Sequence, residues 1–213
     1  MAQTTAARST SARVAFKLGL GLLGLVAIVT EVATLVERGS FDATRFFAYF
    51  TILSNVLVAG TLILSAVLTA SGRGAALDAV RGAVTVYILV VGIGFAVLLS
   101  GLDDLVFTAV PWDNVVLHYL VPIGVLIDFV VDPPERRLPF GSSLVWLVFP
   151  LAYLAVSLVR GEASGWYPYP FLDPATDGVA AVAVTSLGLL ALGAALTAGV
   201  CALSRRGAPR PSD

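Results

Sequence analysis

The chain has 213 residues, 58% of them hydrophobic and only 13% charged, with a net charge of −1 and a mean hydropathy of +0.92. So few charges cannot cover the surface of a water-soluble domain of this length, and a near-neutral chain with scattered basic residues is not built to hold nucleic acid. A single cysteine, Cys201, excludes an internal disulfide, and a single histidine, His118, excludes the common zinc, copper and bis-histidine haem sites, so neither a metal nor an organic cofactor is expected.

Residues 1–12 are basic, small and polar, and are expected to be disordered. An apolar stretch then runs unbroken past Lys17 without a small-x-small cleavage site, so it reads as a retained first span and not as a cleaved leader. Crossing about 30 Å of hydrocarbon takes about 20 helical residues, and six stretches are long enough: 14–36, 45–70, 79–100, 113–131, 142–160 and 177–203. Turn and interface residues separate them, among them Glu37-Arg38-Gly39, Asp103-Asp104 and Asp132-Pro133-Pro134. The fold class is therefore an all-α membrane protein, one bundle of six transmembrane helices over 13–204, followed by a disordered tail from 205 to 213. Ten of the 13 Lys and Arg residues fall on one side and three, Arg38, Arg45 and Arg160, on the other, which puts both termini in the cytoplasm. The preference for arginine, with abundant Ala, Gly, Val and Leu, points to a bacterial cytoplasmic membrane. No internal repeat is visible, which counts mildly against a secondary transporter.

A polar group inside a span costs a few kcal/mol unless it is paired, which makes each one a functional candidate. Thr51 lies about 9 Å below the outer face when counted from Arg45, His118 about 7–8 Å when counted from Asp113, and Glu31 about 9 Å when counted from Glu37. A hydroxyl, an imidazole and a carboxyl thus share a level on three helices. Asn55 is one turn from Thr51 on the same face and Ser54 adjoins it, so either could hydrogen-bond a developing oxyanion. Pro122 offers no N–H to the carbonyl of His118, so the fourth span should bend there. Plainer readings exist for each: a threonine bonded to its own preceding turn, an interhelical Asn55, a structural His118, and a Glu31 that is protonated or paired with Arg38 or Arg45. Asp128, about 15 Å from His118 along the helix, is expected near the inner interface, paired with Arg136 or Arg137.

Gly19-Leu20-Gly21-Leu22-Leu23-Gly24 matches the dinucleotide-binding spacing, but it lies inside a span with no preceding strand, so its glycines serve helix packing. The loop Trp166-Tyr167-Pro168-Tyr169-Pro170-Phe171-Leu172-Asp173 reads as an aromatic belt at the outer interface, in preference to a lid.

The set Phe50-Thr51-Ile52-Leu53-Ser54-Asn55, then His118-Tyr119 with Pro122 and Asp128, then Tyr167 to Asp173, resembles the androgen-induced (FAR/AIG-like) membrane protein family and its bacterial relatives over nearly the whole chain. Animal members are membrane-embedded threonine hydrolases that cleave fatty acid esters of hydroxy fatty acids. The resemblance implies Thr51 as nucleophile and His118 as its catalytic partner. It does not extend to Glu31. The expectation is a lipid ester hydrolase, needing no cofactor, whose partner is a membrane lipid or lipid-ester substrate. The alternative is a lipid- or small-molecule-binding membrane protein or transporter in which the same residues recognise a head group.

Overall fold

The computed structural model describes residues 2–102 and 108–207, with side chains from residue 10 onward. The expected break at Asp103-Asp104 and the tail from residue 208 lie outside the described residues. Among the described residues, six helices are long and apolar enough to cross a membrane. In chain order the helical segments are α1 (Ala2–Glu37), α2 (Ala43–Phe46), α3 (Phe50–Ala70), α4 (Asp78–Leu98), α5 (Pro111–Val115), α6 (Val121–Val131), α7 (Phe140–Ser143), α8 (Val148–Ser164) and α9 (Pro174–Ser204). α1 extends well before residue 14, because residues 2–13 include four alanines and neither proline nor glycine to stop a helix.

α4 occupies the middle, packed against α3, α6 and α9, while α1 lies along α3 and reaches α5 and α6. The fully buried residues Val58, Leu62, Ile88, Leu117, Val121 and Phe129 mark this core. α8 and α9 form the rim. Val156, Val159, Val184 and Leu187 are among their widely exposed residues, which in a bilayer is the lipid-facing surface.

At the end of the bundle farthest from Thr51, charges are buried together. Lys17 is fully buried and donates to Asp128 (2.5 Å) and Asp132 (2.7 Å). Arg81 donates to Asp128 (3.0 Å) and lies 3.7 Å from Asp78, and Arg13 reaches Asp132 at 3.0 Å. Three cations face three carboxylates, so the cluster is balanced in charge, with Arg13 at its exposed edge. This corrects the expectation that Asp128 pairs with Arg136 or Arg137: its partners come from α1 and α4, whose ends face α6 here. The Oγ of Ser204 accepts the N–H of Leu138 at 3.0 Å, which brings the end of α9 to the same side as Arg13. The first and last spans therefore emerge at the same end.

Candidate active site

Local sequence breaks the second span before it reaches Thr51. The Asp42 carboxylate accepts the N–H groups of Thr44 (2.8 Å) and Arg45 (3.2 Å) and so caps the short α2, which ends at Phe46. Tyr49 is extended, with φ −81° and ψ 129°, and α3 starts afresh at Phe50. The hydroxyl of Tyr153 takes up the carbonyl of Ala48 at 2.9 Å, satisfying backbone that would otherwise be left bare in the unwound stretch. The expected continuous helix from residue 45 is thus corrected. Thr51 is the second residue of a helix, not a residue one or two turns into one, and its N–H belongs to the unpaired first turn.

His118 sits in an equally irregular stretch. Between α5 and α6 the chain forms a π-helical turn, Val116–Leu120, in which the N–H of Val121 bonds the carbonyl of Val116. Pro122 cannot donate in the α-helical pattern, and widening to the five-residue pattern accommodates this without a sharp break. Gly92 of α4 lies against this turn. A Cβ there would come within 3.0 Å of Pro122 and 3.2 Å of the His118 carbonyl. The imidazole is stacked on Phe95, with centroids 4.0 Å apart at 25°.

These two irregularities bring the predicted pair together. Thr51 Oγ1 is 3.3 Å from His118 Nε2, and both residues are buried, at 8% and 5% exposure. Hydrogen positions follow from the partners. His118 Nδ1 is 3.1 Å from the carbonyl of Asn114, which can only accept, so the neutral ring carries its proton on Nδ1 and presents a lone pair at Nε2. The Thr51 hydroxyl then donates to Nε2. Its oxygen can accept from the Tyr169 hydroxyl, 3.3 Å away, which in turn accepts the Thr51 N–H at 3.2 Å. Every member of this chain has a partner.

Tyr169 is the residue missed by the sequence reading. It is 7% exposed and lies inside the bundle, so the aromatic-belt reading of its loop is corrected at this position. Its ring is stacked on Phe171 (5.1 Å, 6°) and meets the edge of Tyr49 (5.6 Å). Burial pushes its phenol up, so the hydroxyl keeps its proton and remains a donor. The neighbouring Tyr167 packs over Gly161, where any Cβ would collide with the ring, and Trp166 lies under the guanidinium groups of Arg45 (5.4 Å) and Arg160 (5.1 Å). The prolines of this loop signalled stiffness, but nothing in its sequence signalled which ring turns inward.

Two cavities meet at Thr51 and Tyr169. One, of about 360 Å³, is lined by Glu31, Arg38, Ser40, Asp42, Arg45, Thr108 and His118 among others. A void of that size with such walls has room for many waters. The second, about 90 Å³, runs between α4, α8 and α9 and is walled by Phe50, Val90, Phe95, Leu154, Leu189 and similar side chains. A polar vestibule and an apolar chamber thus share Thr51 and Tyr169 at their boundary.

The remaining candidates separate. Glu31 lines the vestibule, but its carboxyl oxygens accept the N–H of Ala109 (2.7 and 2.9 Å) beside Asp113, and of its plainer readings the pairing with Arg38 or Arg45 is not seen. Asn55 Nδ2 donates to the carbonyls of Thr51 (2.9 Å) and Leu117 (3.3 Å), so its N–H groups are turned away from the Thr51 hydroxyl. Ser54 is fully buried, its hydroxyl has no partner among the described residues, and neither it nor Asn55 lines either cavity. Both residues thus lie off the cavity walls, with Asn55 bonded to the π turn through Leu117. Protein-family models, curated proteins and solved structures offer no match to this chain.

Proposed function

We propose that this chain is a membrane-embedded hydrolase of lipid esters, with Thr51 as nucleophile and His118 as general base. The observation that carries this reading is the 3.3 Å approach of Thr51 Oγ1 to an imidazole nitrogen whose tautomer is fixed from behind by Asn114. That is the hydroxyl–base–orienting group arrangement of acyl transfer, at a spacing that a bound substrate tightens. Thr51 Oγ attacks the ester carbonyl as its proton passes to His118 Nε2. The same proton then leaves with the alcohol, and a water activated by His118 releases the acid. The vestibule supplies that water. The apolar chamber accepts the acyl chain, and a site with both suits an amphipathic ester better than a wholly water-soluble one.

The family resemblance points the same way and suggests fatty acid esters as substrates. We place the vestibule on the outer side of a bacterial cytoplasmic membrane, with both termini inside, following the distribution of basic residues.

Purified full-length protein in detergent, assayed for hydrolysis of a chromogenic ester and for labelling by a fluorophosphonate probe, tests the reading. Thr51→Ala should abolish labelling and lower turnover by at least about 10³-fold, His118→Ala should do similarly, and Cys201→Ala should leave both intact. Equal turnover in all four proteins overturns it, and ester binding without turnover favours the lipid-binding alternative.

A further inference from the structure

Acyl transfer needs donors aimed where the carbonyl oxygen becomes an anion. Asn55 and Ser54 do not supply them, since neither lines a cavity. Two other donors stand beside the Thr51 hydroxyl. One is the Thr51 N–H, the second amide of a 21-residue helix, which has no intrahelical acceptor and lies at the positive end of the α3 dipole. The other is the Tyr169 hydroxyl, 3.2 Å from that nitrogen and 3.3 Å from Thr51 Oγ1. In the resting protein these two groups satisfy each other. They occupy the boundary of both cavities, where an ester carbonyl must lie for Thr51 to reach it.

We propose that Tyr169 is a catalytic residue, its hydroxyl forming with the Thr51 N–H the oxyanion hole of the reaction. This rests on the hydrolase reading. As the bond from Thr51 Oγ to the carbonyl carbon forms, the carbonyl π pair moves onto its oxygen and the Thr51 proton passes to His118 Nε2. The Tyr169 O–H turns from Thr51 Oγ to the new anion, and the Thr51 N–H, no longer held by the phenol oxygen, becomes its second donor. Collapse returns the electron pair to the carbonyl, expels the alkoxide, and lets it take the proton from His118. Tyr169 gives up no proton at any stage. It moves by one hydrogen-bond exchange, and its ring contacts with Phe171 and Tyr49 keep its position through it.

The test compares kcat and KM for p-nitrophenyl butyrate in wild type, Tyr169→Phe and Thr51→Ala, with the corresponding thionoester as a second substrate. Tyr169→Phe should lower kcat about 10²–10³-fold with KM little changed. It should also narrow the preference for the oxygen ester over the thionoester, because sulfur is the poorer acceptor, and a merely structural role would slow both alike. A kcat in Tyr169→Phe equal to or above that of wild type overturns the proposal and leaves the hydrolase reading standing if Thr51→Ala is inactive. Full activity in Thr51→Ala overturns both. Should Tyr169→Phe fail to fold, a fluorinated tyrosine at position 169 keeps the ring and strengthens the donor: kcat must then change, and an unchanged kcat overturns the proposal.

Discussion

Asn55 illustrates how a single amide can be essential to a site without facing it. Its two donors bind the carbonyls of Thr51 and Leu117, so it joins the first turn of α3 to the residue just before His118. Removing it leaves the buried carbonyl of Leu117 short of a donor, at a cost of about 1–3 kcal/mol, while the carbonyl of Thr51 keeps its place in the α3 helix. Asn55→Ala should therefore lower the thermal midpoint in detergent and weaken turnover through loosened geometry. Asn55→Gln, which keeps the amide but lengthens its arm, should not restore either. The spacing of Thr51, Ser54 and Asn55 was legible in the sequence, but spacing along a helix says nothing about which acceptors an amide finds. Lys17 and Arg81, counted as flanking charges, likewise gave no hint of their meeting with Asp128, because that contact joins residues more than a hundred and about fifty positions apart.

At the level of elements, the site is made by two departures from α-helix. The restart at Phe50 frees the Thr51 amide, and the π turn at Val116–Leu120 carries His118 to it. Pro122 foretold an irregularity at the right place, though as a bend and not as a widened turn. The cause of the restart was also present in the sequence, since Asp42 followed by Thr44 and Arg45 is a capping pattern. Hydropathy masked it, because the window over 45–70 is strongly apolar on average. Restoring an amide donor with Pro122→Ala lets the turn close into ordinary α-helix and draws His118 away from Thr51. A misplacement of about 1 Å in such a pair costs roughly 10²-fold in rate. We expect that loss in hydrolysis, with helix content by circular dichroism unchanged or slightly raised.

Over the whole molecule, six spans were readable because length and hydropathy set them directly, whereas the order in which they pack was not, because lipid-facing and protein-facing residues are equally apolar. The charge cluster of Lys17, Arg81 and Asp128 ties α1, α4 and α6 at the end opposite Thr51. Breaking one partner leaves an uncompensated charge in the interior, which costs about 3–5 kcal/mol. Lys17→Met should lower the thermal midpoint strongly, and Lys17→Met combined with Asp128→Asn should recover part of it, measured by unfolding in detergent. Rates per folded molecule should stay near wild type, because the site is anchored independently by Asn55, Tyr153 and Tyr169.

The shared boundary at Thr51 bears on where two cleavage products would go. A cavity with polar walls lies on one side of that residue and an oily cleft on the other. Under the hydrolase reading, an ester cut there releases a soluble fragment outward and a greasy one sideways into the bilayer. The two products dilute into separate phases at once, and rejoining them would require both to come back to the same point together. Separate exits of this kind would slow re-esterification at the site, while the equilibrium itself stays where the free energies of ester, water and products set it.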